Sequence, residues 1–236
     1  MLYIDIEKKL GSFTLKAKMS VNGGTSALFG PSGAGKSMTL KCIAGIEKPD
    51  SGVIELNGRT LFDSSKRINL PPQKRRVGYL FQEYALFPNM SVTGNITAGM
   101  RALPKIERKT KAAELIKSFR LSGLENKRPS TLSGGEKQRV ALARIFASQP
   151  EVILLDEPFA SLDLLLKEEL IPYIGDIISG FGGESVLVSH DADEVLRLCE
   201  SVTEINTGKT GETVNIETFR ERIKAIYEKA GITFGR

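Results

Sequence analysis

The sequence predicts an α/β fold: a mixed-sheet core, an antiparallel β-subdomain at the N-terminus and an inserted α-helical lobe. Three observations predict it. Alternating apolar residues fill the first sixty positions, helical spacing takes over from about 84 to 150, and short apolar runs return at 152–155 and 186–188. The chain has 236 residues. Against a typical domain of about 150, that allows one large domain or one with an inserted lobe. The expected organisation is a single unit over 1–236, with core and β-subdomain in 1–83 and 151–236 and the lobe in 84–150.

The elements follow in order. Leu2, Ile4 and Ile6 alternate, as do Phe13, Leu15, Ala17 and Met19, so both stretches read as strands with one buried face. Ser26-Ala27-Leu28-Phe29 is a short apolar strand running into a glycine-rich turn. A helix follows from about Ser37 to Ile46, stopped by Pro49-Asp50-Ser51-Gly52. Asn57-Gly58 between Val53–Leu56 and Arg59–Phe62 signals a hairpin. Helical patterns then cover Ile106–Phe119 and Glu136–Ala147. The runs Val152–Leu155 and Val186–Val188 resemble buried parallel strands, with a helix at about Leu164–Ile178 between them. In the tail, Ile216, Phe219, Ile223, Ile226 and Tyr227 share one helical face, which is expected to pack on the body.

Composition excludes several classes. A hydrophobic share of 41% and a charged share of 26% exclude disorder and fibrous repeats. No apolar run approaches the ~18–20 residues of a membrane helix. Met1 to Ile6 already reads as strand, so no secretory signal is expected. Cys42 and Cys199 stand far apart, which favours a reducing compartment over a disulfide scaffold. The net charge is +5, and the basic clusters Lys74-Arg75-Arg76 and Lys105–Lys111 read as solvated faces, so no nucleic-acid partner is expected.

The chemistry concentrates in a few segments. Gly30-Pro31-Ser32-Gly33-Ala34-Gly35-Lys36-Ser37 matches G-x-x-x-x-G-K-[ST] between a strand and a helix. Such a loop wraps backbone N–H groups around a phosphate. The helix N-terminus adds a favourable dipole. Lys36 supplies charge to the β- and γ-phosphates, and the Ser37 hydroxyl can bind magnesium. The pattern points to a P-loop NTPase binding a nucleotide with Mg²⁺. Asp156 and Glu157 end an apolar strand, and strand alternation points them to opposite sides, so they are expected to take different roles. Asp156 is assigned to the metal, and Glu157 to the attacking water. His190 follows the strand Val186-Leu187-Val188-Ser189, and Gln82 ends Val77–Phe81. Gly30, Gln82, Asp156 and His190 thus fall at strand C-termini, the edge where open parallel sheets bind ligands. His190 is expected to contact the γ-phosphate, and Gln82 the metal or water.

Leu132-Ser133-Gly134-Gly135-Glu136-Lys137-Gln138-Arg139 is a Ser-Gly-Gly turn opening a helix, able to present N–H groups to an anion. This octapeptide resembles the signature motif of ATP-binding-cassette (ABC) ATPases. The order P-loop, Gln82, signature, Asp156-Glu157, Ser161-Leu162-Asp163 and His190 resembles that family over about residues 1–210. A P-loop kinase or GTPase would lack Leu132–Arg139.

The resemblance implies a head-to-tail dimer, with ATP between the P-loop of one copy and the signature of the other. Ser133, Gly134 and Gly135 would then act in trans, and Asp163 would belong to the loop coupling the two sites. It also implies an aromatic stacked on adenine, for which Phe13 is the candidate and Tyr3 the rival. Met38 stands where the family commonly has Thr. Leu70-Pro71-Pro72-Gln73-Lys74-Arg75-Arg76-Val77-Gly78-Tyr79-Leu80-Phe81-Gln82-Glu83-Tyr84-Ala85-Leu86-Phe87-Pro88 is similar to importers of oxyanions, polyamines and sugars, most of all molybdate and tungstate importers. Sulfate, polyamine, iron or thiamine import is the alternative, as is a soluble ABC ATPase outside transport. The implied partners are a second cassette, membrane permease subunits docking near Glu83–Met90 and, indirectly, an extracytoplasmic substrate-binding protein. The implied location is peripheral, on the cytoplasmic face of the membrane. No C-terminal regulatory domain is expected.

Overall fold

Apolar alternation builds the first strands. β1 (Leu2–Leu10) buries Leu2, Ile4 and Ile6 and pairs antiparallel with β2 (Phe13–Val21) and β4 (Ser51–Leu56), which sets Ile4 opposite Met19 and Ile54. β4 returns through Asn57-Gly58 as β5 (Arg59–Asp63), and β6 (Ile68–Asn69) completes that edge. β3 (Thr25–Phe29), β7 (Val77–Leu80), β8 (Val152–Asp156) and β9 (Glu184–Ser189) run parallel, and β10 (Ser201–Asn206) continues that run beside β3. β10 and β11 (Lys209–Asn215) form a hairpin that joins β3 to β2. This computed structural model describes residues 1–100, 103–160 and 162–231. Among them the strands form one sheet, ordered β6-β5-β4-β1-β2-β11-β10-β3-β9-β8-β7. Ser161 of the predicted Ser161-Leu162-Asp163 segment lies outside the described residues.

Two cores result. α1 (Lys36–Ala44) lies between the apolar face of β1, β2, β4 and β5 and one face of the parallel strands, with Leu28, Val152, Leu154, Val186 and Val188 beneath it. The opposite face, with Ala27, Ile153, Leu155 and Leu187, is covered by the remaining helices. These include α3 (Val92–Ala98), α4 (Lys105–Ser118) and α5 (Gly134–Ala147), in the stretch predicted to be helical. α6 (Leu164–Ser179) and α7 (Ala192–Leu198) flank β9 in sequence. α8 (Ile216–Lys229) packs on the body as its spacing predicts: Phe219 is fully buried, its ring 5.0 Å from that of Phe29 in an edge-on contact. Burying such a side chain contributes about 2–3 kcal/mol. Ile226 departs from the expectation. It stands in the last turn, at the edge of the stripe, and is 59% exposed.

The β10–β11 hairpin was not foreseen. Its second strand is mostly exposed and shows no alternation, and the turn at Thr207-Gly208, with φ of 44° and 81°, was its one local signal.

The basic cluster Lys74-Arg75-Arg76 corrects the reading of a solvated face. Lys74 and Arg76 are exposed, but Arg75, at the end of the short helix α2 (Pro72–Arg75), is fully buried. Helix ends leave carbonyls without partners, and a guanidinium offers five donors. Arg75 donates to the Cys42 and Ile43 carbonyls at the C-terminus of α1 (both 2.8 Å), to the Leu70 carbonyl (2.7 Å) and to Asn69 Oδ1 (2.8 Å). Arg75→Met strands these buried acceptors. It should lower the unfolding free energy by about 3 kcal/mol or more, read from urea denaturation.

Candidate functional site

The glycine-rich loop leaves β3 at Phe29 and enters α1 at Lys36. Two of its positions admit only glycine. A Cβ on Gly30 would stand 2.1 Å from the Ile205 carbonyl oxygen, and Gly35 has φ 104° with no side-chain cap for the helix. The first N–H groups of α1 therefore have no side-chain acceptor from its N-cap, the arrangement that receives an anion. Lys36 is 4% exposed. Its ammonium donates to the Gly30 and Pro31 carbonyls at 2.8 and 3.0 Å and stands 3.5 Å from Glu157 Oε1.

Asp156 ends β8 on the face that covers α1, in register with Val152 and Leu154. Its Oδ1 accepts from Ser37 Oγ at 2.7 Å, and its Oδ2 accepts from the Tyr79 hydroxyl at 2.7 Å. Alternation alone would turn Glu157 to the other face. It does not. Glu157 has left the strand with φ 45°, and its carboxylate stands near both Lys36 and His190 Nδ1, the latter at 3.4 Å. Both carboxylates therefore serve the same edge, and what separates them is their partners. A non-glycine residue held at positive φ beside charged groups is a common mark of a functional position.

A cavity of about 460 Å³ opens on this loop. It is lined by Leu10, Phe13, Ser32, Gly33, Gly35, Lys36, Ser37, Met38, Lys41, Gln82 and Glu157. Of the four strand ends named from sequence, Gln82 lines the cavity, while Gly30, Asp156 and His190 adjoin it through Lys36, Ser37 and Glu157. A smaller cavity of about 180 Å³ adjoins, lined in part by Glu157, Leu162 and His190. Glu157 borders both. Phe13 lines the larger cavity. Its rival Tyr3 does not, and its hydroxyl lies 3.3 Å from Asp5 Oδ2.

The Ser-Gly-Gly turn stays apart. Ser133, Gly134, Gly135 and Asp163 line neither cavity. Ser133 is exposed and forms a reciprocal cap on α5: its hydroxyl accepts from Glu136 N at 3.3 Å, and its own N–H donates to Glu136 Oε2 at 2.7 Å. Asp163 caps α6 through the Leu166 N–H at 3.0 Å.

Three features escaped the sequence reading. Lys41 at the cavity rim is one. Tyr79 is another, although period-2 alternation on β7 puts it on the α1 face. The third flanks His190. Lys167 on α6 pairs with Asp191 and, at 2.8 Å, with Glu194, while Ser189 Oγ donates to Glu194 at 2.6 Å and accepts from the Asp191 N–H at 2.9 Å. Burial alone pushes the Asp191 carboxyl up. The hydrogen bond and charge of Lys167, with the Asp193 N–H, outweigh that and hold it below its ordinary value. A depressed carboxyl stabilises the fold above its unfolded pKa and loses that contribution as pH falls through the folded one. Lys167→Met should therefore cost about 1–2 kcal/mol at neutral pH, between the values for exposed and buried pairs. The gap from the native chain should close as pH drops into the carboxylate range, as followed by chemical denaturation across pH.

Comparison with known proteins agrees with this geometry. The ABC transporter family model matches residues 15–160. The chain is 41% identical over 218 residues to the molybdenum import ATP-binding protein ModC of Paramagnetospirillum magneticum, a match covering 92% of this chain and 60% of that protein. It thus spans about three-fifths of that relative's length. Among solved structures, cbiO1 from Clostridium perfringens, part of the ABC transporter complex cbiONQ, has TM-score 0.81 at 27% identity, over 96% of this chain and 93% of that one. The dimeric post-hydrolysis state of the ATP-binding cassette MJ0796, bound to ADP and Pi, has TM-score 0.76 at 25% identity, over 92% and 99%. With its phosphate-loop turn at the end of a parallel strand and a family match over more than half its length, the chain belongs to the ABC transporter family.

Proposed function

We propose that this chain is the ATP-hydrolysing subunit of an ABC importer, peripheral to the cytoplasmic face of the membrane, and that the cargo is molybdate or tungstate. The observation that carries the ATPase reading is the convergence of Lys36, Ser37, Gln82 and Glu157 on one cavity, with Asp156 bonded to Ser37. Lys36 and the N-terminus of α1 bind the β- and γ-phosphates. Phe13 stacks on the base, and Met38 borders the α-phosphate. Glu157 orients and deprotonates the attacking water, and His190 holds the γ-phosphate. Ser37 Oγ and Asp156 Oδ1, 2.7 Å apart, are hard oxygen donors of the kind magnesium takes, and the Gln82 amide lines the same cavity. When bound there, magnesium neutralises charge on the phosphate oxygens.

The partner reading rests on what the cavity lacks. Its described lining draws nothing from 84–150, yet Ser133-Gly134-Gly135 is an anion-ready turn at the head of a fourteen-residue helix. A second copy, related head to tail, brings that turn to the nucleotide, with Asp163 in the loop between the two sites. The dimeric state of MJ0796 bound to ADP and Pi supports this arrangement. Among the described residues no helix is long and apolar enough to cross a membrane. In this reading the transport path belongs to separate permease subunits, fed by a substrate-binding protein. The cargo assignment rests on the ModC relative and on the importer-like segment Leu70–Pro88.

Two outcomes test the proposal. Glu157→Gln should keep ATP affinity, lower turnover about 10²–10⁴-fold and accumulate an ATP-bound dimer on gel filtration. Turnover within about tenfold of the native chain would remove Glu157 from the chemistry. Cells lacking the gene, grown in trace molybdate and tungstate, should show a selective fall in molybdenum or tungsten by mass spectrometry. Unchanged metal, with no second uptake system present, would move sulfate and polyamine import to the front.

A further inference from the structure

We propose that Tyr79 is the positioning residue that sets the Asp156 carboxylate, giving its two oxygens separate tasks. Both side chains are buried. Oδ2 accepts the Tyr79 hydroxyl at 2.7 Å, and Oδ1 accepts Ser37 Oγ at 2.7 Å. With one oxygen tied to the sheet and the other aimed at the phosphate loop, rotation of the carboxylate about its own bond is fixed. Hydrogen-bond donors behind a metal ligand orient the oxygen that touches the metal.

The register explains why this residue reaches. β7 and β8 run parallel with Tyr79 opposite Leu154, two residues before Asp156. Two strand residues span about 6.6 Å, close to the length of a tyrosine side chain lying along the strand. The ring is held in turn by Phe81, centroid to centroid 4.3 Å. Phe81 immediately precedes Gln82, which lines the cavity. The carboxylate is thereby linked to the strand that presents Gln82. Phenylalanine or methionine in place of Tyr79 would fill the space and leave Oδ2 buried without this donor.

The inference rests on the reading of Asp156 as a magnesium ligand, and the experiment separates the two. Affinity for a fluorescent ATP analogue is titrated in EDTA and at stepped Mg²⁺ for the native chain and for Tyr79→Phe, which keeps the ring against Phe81. In EDTA the two should agree within about twofold, because the phosphate loop is untouched. The Mg²⁺ concentration giving half the metal-dependent gain should rise about tenfold in Tyr79→Phe. In an Asp156→Asn background the same change should add nothing, since Tyr79 acts through that carboxylate. Identical Mg²⁺ dependence in native and Tyr79→Phe chains overturns the Tyr79 assignment alone, as does an additive effect in the Asp156→Asn background. Indifference of the native chain to Mg²⁺ overturns the metal reading and this inference with it.

Discussion

The burial of α1 on nearly every side is the constraint from which the rest follows. A nine-residue helix is too short to be stable by itself in water. Its geometry must come from packing. One sheet face lies beneath it, and the N-terminal antiparallel strands close over it. Arg75 satisfies its C-terminal carbonyls. With the C-terminus held and most of the body enclosed, the N-terminus faces the cavity, with Lys41 at its rim, and a helix N-terminus is where an anion is welcome. The β-subdomain thus serves as the lid of the core that aims α1. This is why a single sheet continues from the antiparallel half through the β10–β11 hairpin into the parallel half.

The carboxylates show how one sheet edge supports two chemistries. Asp156 still obeys strand alternation, so it faces the helix and takes hydroxyl donors. Glu157 has broken alternation, at the cost of a left-handed backbone, and takes charged and imidazole neighbours instead. Had Glu157 continued the strand, it would have pointed into the face covered by the other helices, among apolar side chains such as Leu155 and Phe159. An ionised carboxylate there would lack partners, a much larger penalty than the ~1–3 kcal/mol of a strained residue.

Much of this was legible in the residues. The strands with clean alternation, the Asn57-Gly58 hairpin, the phosphate loop and the helical middle all announce themselves through local patterns that tertiary packing did not override. So did the convergence of Gly30, Gln82, Asp156 and His190, because parallel strands put their C-termini on one edge. What stayed hidden depends on contacts distant in sequence. Arg75 looked like surface because its neighbours Lys74 and Arg76 are surface, and only its position under α1 makes it a cap. Tyr79 and Asp156 are 77 residues apart, and no spacing rule joins them. Lys167 meets Asp191 and Glu194 only because α6 packs against α7, whose N-terminal end carries both carboxylates. Glu157 was assigned a side by a strand rule that its own backbone breaks.

The loop after Gln82 completes the argument. Gln82 lines the nucleotide cavity, and a few residues on Phe87 and Met90 stand 41% and 39% exposed. Between them the chain splits its apolar residues. Tyr84 is buried in the core and Leu86 half-buried against it, while Phe87 is left out. The loop is also stiff. Tyr84 and Ala85 are both left-handed, at φ 60° and 45°, and Arg144 binds both of their carbonyls while lying 5.2 Å over the Phe87 ring. Asn95 accepts from the Phe87 N–H and donates to its carbonyl. An exposed aromatic held this firmly loses little further entropy on contact, which suits a docking surface better than a solvated turn. Under the importer proposal, this loop is the surface on which a permease subunit docks. The loop's other end is Gln82, and the strand behind it carries Tyr79 to the Asp156 carboxylate.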